Sequence, residues 1–141
     1  MVWLEFLAAA ATAVGADQVL KARVLAAPRL APAPSRWGYV SIRCTINRRI
    51  ALVSQSDSGI AMVWVLCAAL SCFALGQEPL ADNALGATGL GLALGGITGN
   101  VIDILRRRGV VDFIALGSWT IFNLADVAIL GGLALAAASL V

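Results

Sequence analysis

The chain has 141 residues, of which 60% are hydrophobic and 13% charged, and its net charge at pH 7 is +2. Soluble domains carry roughly 25% charged residues, and the mean hydropathy here is +0.90. A globule this small exposes too much of its surface to hide so much apolar mass from water. The composition therefore excludes a soluble enzyme, a disordered chain and a nucleic-acid-binding module, and it indicates an integral membrane protein.

Histidine is absent from the sequence. This excludes a Ser-His-Asp triad, a Cys-His pair and histidine metal ligands within the chain, so any catalysis must use carboxylates, Lys, Cys, Ser or Thr. The three cysteines show neither a disulfide framework nor a metal-binding spacing, and we interpret them as structural. We predict neither a metal ion nor a cofactor.

Four apolar segments are long enough to cross a bilayer, which takes roughly 20 residues in a helix. The first segment has no Lys or Arg ahead of its apolar run and carries Glu5, so we interpret it as a retained helix and not as a cleaved signal peptide. The predicted spans are residues 2–19, 59–76, 84–102 and 121–141. They are joined by an extramembrane loop (28–58), an acidic turn (77–83) and a polar and aromatic segment (103–120).

Residues 38–47 of the first loop alternate well enough to predict a short strand or hairpin. The predicted fold class is therefore an all-α membrane protein, a single domain of four transmembrane helices with a small extramembrane β-like cradle or lid between helices 1 and 2. Four spans place both termini on one side of the membrane and the two larger connections on the other. In the third span, Gly91, Gly95 and Gly99 recur every four residues and predict a close helix–helix contact.

Ionisable residues in or beside a span are costly to place there and are functional candidates by default. Asp17 and Lys21 lie four residues apart on one helix face. This spacing predicts either a structural ion pair or a supporting role in a functional site. Two amide–carboxylate pairs have a spacing of three, which places both members on one face of a helix. The pairs are Asn100–Asp103 and Asn123–Asp126, with Asp112 between them in the sequence. The predicted topology brings these four aspartates, Asp17, Asp103, Asp112 and Asp126, to one membrane surface. Helix capping or an arginine partner would explain the position of any single one of them.

Four segments, in order and spacing, resemble the lipoprotein signal peptidase (signal peptidase II) family, a group of four-helix aspartic proteases of bacterial membranes. They read DQVLK (17–21), GGITGNVID (95–103), GVVDFI (109–114) and FNLADVAI (122–129). An Asn before the second helix is a weaker fifth element. The resemblance implies that Asp112 and Asp126 are the catalytic dyad. It implies a supporting polar shell of Asp17, Lys21, Asn100, Asp103 and Asn123.

Two positions depart from the family pattern. Where the family has Asn-x-Gly-Ala-Ala-Phe, this chain has Asn47 followed by two arginines, and where the family has Arg after the acid of G-N-x-x-D, this chain has Ile104. The nearest guanidinium in sequence is that of Arg106. The candidate substrate-binding residues are therefore Asn47, Arg106 and Trp37, and Trp37 is also, with Tyr39, a candidate anchor at the membrane interface.

The substrate implied by the resemblance is a prolipoprotein that carries a diacylglyceryl group on its lipobox cysteine and is cleaved just before that cysteine. The implied location is the bacterial inner membrane, surrounded by membrane lipids, with the active site on the outer side and both termini in the cytoplasm. We expect a monomer. All ten cationic residues lie within 21–49 and 106–108, so the positive-inside rule favours the opposite orientation. We predict the orientation that the motifs imply, because the rule is statistical.

Two other functions stay open. One is a small proton-coupled transporter or channel subunit with a relay of Asp103, Asp112 and Asp126, although these acids cluster at one interface and do not step across the bilayer. The other is a catalytically inactive relative that binds lipoprotein precursors, which the altered segment after Asn47 suggests.

Overall fold

The computed structural model describes residues 1–27, 39–48 and 56–141. Its helices are α1 (Val2–Ala26), α2 (Asp57–Leu75), α3 (Ala84–Arg107) and α4 (Leu124–Ala138). Its strands are β1 (Val40–Asn47), β2 (Val110–Leu116) and β3 (Thr120–Phe122). A helix therefore occupies each of the four predicted spans, and the strand predicted within residues 38–47 is confirmed as β1.

The sheet is larger than the sequence indicated, and this corrects the all-α assignment. Its three strands are antiparallel in the order β1–β2–β3, so the polar and aromatic segment after α3, for which the sequence predicted no strand, supplies two of them. Thr45 lies opposite Asp112, and Ile114 lies opposite Phe122. Because β3 pairs with β2, the fourth helix begins at Leu124 and not at residue 121.

Helix α3 lies at the centre of the bundle, between α1 and α4. A Cβ atom on Gly95 would stand 2.5 Å from the carbonyl oxygen of Ala10 in α1, and one on Gly96 would stand 2.4 Å from that of Ala125 in α4. These distances are far below van der Waals contact, so only glycine allows the backbones to approach this closely. The predicted contact face is confirmed, since Gly91 and Gly99 also face α1.

The outer surface of the bundle is apolar. Helix α2 combines 19 residues with a mean hydropathy of 2.1, and most of its large side chains are exposed. Within the described ranges, α2 and α3 are the helices that meet both the length and the hydropathy of a membrane span, whereas α4 is apolar but has only 15 residues. One hydrogen bond between α2 and α3 runs from Trp64 Nε1 to Thr98 Oγ1, at 2.8 Å.

The turn after α3 aims strand β2 back across the end of the bundle. Arg108 ends the helix in the left-handed region, with φ 56°, and its N–H donates to the carbonyl of Ile104. Gly109 follows, and a Cβ there would stand 2.8 Å from Ile46 of β1. This tight turn starts β2 at Val110 and so fixes the place of Asp112 two residues later.

Candidate active site

Asp112 lies in the middle of β2 and is 5% exposed. Both of its carboxylate oxygens accept a hydrogen bond from a side-chain amide. Asn123 Nδ2 donates to Oδ1 at 2.8 Å, and Asn47 Nδ2 donates to Oδ2 at 3.2 Å. These donors come from the start of α4 and the end of β1, so the carboxylate is held where the sheet meets the helices.

Asp126 belongs to a capping box at the start of α4. The Asn123 side chain accepts from the N–H of Asp126 at 2.9 Å, and the Asp126 carboxylate accepts from the N–H of Asn123 at 3.2 Å. The spacing of three therefore has a different cause from the predicted shared helix face, because Asn123 is the N-cap and satisfies amides that the first turn leaves free. The Asp126 side chain is half-buried.

Asn123 and Asn100 connect the two aspartates. Asn123 Nδ2, which donates to Asp112, also lies 3.2 Å from Oδ1 of Asn100. Asn100 Nδ2 in turn donates to Asp126 Oδ1 at 2.9 Å. The side-chain amides of Asn123 and Asn100 thus hold both carboxylates at one site. One carboxylate lies on a strand and the other on a helix, and they are the two that the resemblance pairs.

A buried ion cluster lies beneath this pair. Lys21 Nζ is 2.8 Å from an oxygen of Asp17 and 2.8 Å from one of Asp103, and all three side chains are fully buried. Lys21 also donates to Asn100 Oδ1 at 3.0 Å, and the N–H of Ala125 donates to Asp17 at 3.0 Å. The predicted supporting shell is therefore brought together in space, and it joins α1, α3 and the start of α4.

Of the three candidate substrate-binding residues, the structure places one at the site. Asn47 contacts Asp112, whereas Arg106 is exposed and the guanidinium on Asp103 belongs to Arg107. Trp37 lies outside the described residues.

Sequence reasoning missed two members of the site, Arg107 and Gln18. Gln18 Nε2 lies 3.1 Å from the carbonyl oxygen of Gly99 and 3.3 Å from Asp103 Oδ1. Arg107 was detectable in principle, because it lies one helical turn after Asp103, at the i, i+4 spacing.

An open cleft of about 560 Å³ leads from the solvent to Asp112. Its walls are the end of β1 and the hairpin between β2 and β3. The lining residues are Thr45, Ile46, Asn47, Arg48, Asp112, Trp119, Thr120 and Ile121. Asp112 therefore combines a nearly buried carboxylate with an approach from one side, which is the arrangement that a reacting group needs.

Burial raises the pKa of Asp112 above its ordinary value, because the charged form loses hydration. The amides of Asn47 and Asn123 act against this shift since they stabilise the ionised form, whereas the charge of Asp126 reinforces it. The positive charge of Lys21 also acts against the shift, but the net direction of the pKa shift of Asp112 is upward.

Comparison with known proteins places the chain in a family. The model of signal peptidase (SPase) II matches residues 9–141. This chain belongs to the signal peptidase II family. A lipoprotein signal peptidase of Xanthomonas axonopodis pv. citri (strain 306) is 37% identical over 146 residues, which cover 94% of this chain and 81% of that protein. The signal peptidase of Mycolicibacterium smegmatis (strain ATCC 700084 / mc(2)155) is 52% identical over a shorter match of 52 residues, covering 33% of this chain and 22% of that protein.

Two solved structures share the fold of this signal peptidase II family member. Both are bacterial membrane enzymes determined by the in meso method, at 1.9 Å and 2.3 Å resolution. The first superposes with a TM-score of 0.79 at 22% identity and covers 96% of this chain and 92% of its own. The second has a TM-score of 0.75 at 21% identity, with coverages of 92% and 83%. Because the family match covers residues 9–141, the chain is a membrane protease of the signal peptidase II type.

Replacing Asn47 by Ala should move the pH–rate profile of this signal peptidase to higher pH. The Asn47 amide stabilises the ionised form of Asp112, so its removal raises the pKa of that carboxyl further. The shift has the same sign whether Asp112 acts as the base or as the acid. We would measure the cleavage rate as a function of pH, from about 4, the ordinary pKa of an aspartate, upward. Cys44→Ala, an exposed change on the same strand, is the control, and coincident profiles for Asn47→Ala and wild type would contradict the assignment.

Proposed function

We propose that this chain is an aspartic endopeptidase that removes the signal peptide from prolipoproteins whose lipobox cysteine carries a diacylglyceryl group, and that it cuts just before that cysteine. The observation that carries the proposal is the pair Asp112 and Asp126. The two carboxylates are linked through Asn123 and Asn100, and Asp112 opens into a solvent-accessible cleft.

Two carboxyl groups that share a site do not ionise together easily, so one keeps its proton while the other is charged. The ionised member takes a proton from water, whose oxygen then bonds to the scissile carbonyl carbon. The protonated member donates to the carbonyl oxygen. When the carbon–nitrogen bond breaks, the leaving amine takes the proton that the first carboxylate removed from water. The carbonyl double bond forms again, its oxygen returns a proton to the second carboxylate, and the new carboxyl terminus departs with the signal peptide.

The amides around the pair hold both carboxyl groups in place while one is charged and the other protonated. Asp112 accepts from two amide groups, and the donors lie on different elements, so the carboxylate cannot rotate away when it changes charge. Asp126 accepts from Asn100 and from the backbone of its own cap. Because Asn123 contacts both acids, a change of protonation on one alters the hydrogen bonding of the other.

The position of the pair suits a substrate that is half lipid and half peptide. The residues that build the site lie at the end of α1, the end of α3 and the start of α4, which is one end of the bundle. At a membrane–water interface, acyl chains stay in lipid while water reaches the bond. Trp119, which lines the cleft, is 95% exposed, and Tyr39, which lines a second pocket together with Trp119, is 81% exposed. Such exposure is expected of aromatic side chains at a lipid headgroup region.

For the membrane topology we propose four spans, an active site on the outer side of the bacterial inner membrane, cytoplasmic termini and a monomer. The exposed apolar surface of α2 supports contact with lipid. The family assignment disfavours a transporter subunit. An inactive precursor-binding relative differs from our proposal by its lack of turnover.

The test is to incubate the purified full chain, in lipid nanodiscs, with two forms of one precursor, with and without the diacylglyceryl group, and to weigh the products by mass spectrometry. We expect cleavage before the cysteine of the lipidated form and at least about tenfold slower cleavage of the other, a difference of about 1.4 kcal/mol in transition-state binding. Binding of the lipidated form without any cleavage identifies an inactive relative and refutes the proposal.

A further inference from the structure

The ion cluster beneath the aspartate pair contains a second cation besides Lys21, Arg107, to which the proposed mechanism gives no role. Its guanidinium forms an ion pair with Asp103 across one helical turn. The Arg107 side chain is 24% exposed, while Asp103 is fully buried. The neighbouring arginines differ, because Arg106 is exposed and Arg108 pairs with Asp57 at the surface.

Without Arg107 the cluster is not neutral. Asp17 and Asp103 contribute two negative charges, and Lys21, which contacts both, contributes one positive charge. A buried charge without a partner is strongly destabilising, since its lost hydration is not replaced. Arg107 brings the sum of the four formal charges to zero. It also lies in the last turn of α3, where a cation interacts favourably with the helix dipole.

The cluster is bonded directly to the elements that hold both aspartates. Asp103 Oδ2, on the same carboxylate that binds Arg107, accepts the N–H of Val111 at 3.1 Å, and Val111 immediately precedes Asp112 in β2. Lys21 donates to Asn100, whose amide holds Asp126. An excess negative charge on the cluster would therefore act on the aspartate pair in two ways, through its field and through displaced hydrogen bonds.

We propose that Arg107 is a positioning residue, which neutralises the buried cluster and thereby holds Asp103 against strand β2 and keeps the aspartate pair in its working state of one charge and one proton. This inference rests on the proposed function, because it takes Asp112 as catalytic. It assigns a role to one of three consecutive arginines and gives none to the other two.

The charged and titratable groups around Asp112 come from every element that packs on the site. They are Asp17 and Lys21 of α1, Asp103 and Arg107 of α3, Asp126 of α4 and Arg48 beside the cleft. Loss of the Arg107 charge leaves a net negative charge near Asp112. Negative charge disfavours ionisation of a carboxyl group, so the pH–rate profile should move upward by roughly half a unit to one unit.

The experiment compares three variants in nanodiscs: Arg107→Met, Arg107→Lys and the double variant Asp103→Asn/Arg107→Met. We expect Arg107→Met to lower kcat by about tenfold with little change in KM, and to shift the pH–rate profile upward. Arg107→Lys should restore the position of the profile, because it restores the charge. The double variant removes one charge of each sign and should also bring the profile back, although the rate stays reduced. Arg108→Met, which breaks the neighbouring exposed pair, should behave as the wild type.

The proposal is overturned if Arg107→Met keeps the kcat and the pH–rate profile of the wild type while Asp112→Asn is inactive. If Asp112→Asn itself cleaves normally, the proposed function fails, whatever Arg107 does. Should Arg107→Met not fold, as judged by its melting temperature, we expect the charge-balanced double variant to fold. Failure of both Arg107→Lys and the double variant to restore folding would show that charge balance is not the role of Arg107.

Discussion

Asp112→Asn and Asp126→Asn should each abolish cleavage of a lipidated precursor, with a loss of at least about a thousandfold in kcat. General acid and general base catalysis each contribute roughly 10² to 10⁴ to a rate, and neither remains intact without its carboxyl group. Asn keeps the size of the side chain but neither takes up nor releases a proton near neutral pH. The measurement is single-turnover cleavage by the purified variants, followed by mass spectrometry.

The matched control is Asp82→Asn, because Asp82 is an exposed carboxylate in the turn between α2 and α3. We expect this variant to cleave at the wild-type rate. Binding of the precursor should persist in the two active-site variants, since neither change creates a cavity. Cleavage at the wild-type rate by either Asp112→Asn or Asp126→Asn would refute the dyad.

Gly95→Leu should disrupt the fold and, with it, all activity. A Cβ atom at residue 95 would stand 2.5 Å from the Ala10 carbonyl oxygen, 2.8 Å from the Ala13 Cβ and 2.9 Å from the Ala10 Cα, and two of these three atoms belong to backbone that cannot move away. Overpacking of this kind costs about 3 kcal/mol. Because α1 carries Asp17 and Lys21, a wider spacing between α1 and α3 also separates Lys21 from Asp103 and Asn100.

Gly15→Leu tests whether the position or the residue type matters. Gly15 belongs to α1, the helix that packs against Gly95, but it lies on the exposed side of that helix. A Cβ atom at residue 15 would have no neighbour within 4 Å. We expect this variant to be as stable as the wild type or up to about 0.5 kcal/mol more stable, because Leu favours a helix over Gly. Melting temperatures in detergent would compare the two variants, and equal values would contradict the packing argument.

The features that the sequence alone determined are local ones. Helices follow from runs of apolar residues, and each of α1 to α4 lies in one of those runs, although α4 begins three residues later than predicted. The four-residue repeat from Gly91 to Gly99 predicts the contact face of α3, because a helix returns to the same face after four residues. The spacing of Asp17 and Lys21 likewise predicts their ion pair. Each of these inferences needs only the geometry of one helix.

The sequence also singled out polar residues that the structure places close together, although the reasons it offered for two of them were incomplete. Asn123 and Asp126 drew attention as members of one helix face, and their spacing is in fact that of a capping box. Arg107 was overlooked in favour of Arg106, which follows the acid at three residues instead of four. Both errors lie within a single helical turn, where a shift of one residue changes the face by about 100°.

What only the tertiary structure decided is how distant segments meet. β1 and β2 are separated by two helices in sequence, yet their pairing sets Asn47 beside Asp112. No local pattern specifies such a pairing, because the partner of a strand depends on where the intervening helices deliver it. The same holds for Asn100 and Asn123, which meet only after α3 and α4 pack. The sequence identifies the aspartates as candidates. The hydrogen bonds that link them through Asn100 and Asn123 form only in the folded chain, where glycines let α1, α3 and α4 approach to backbone contact.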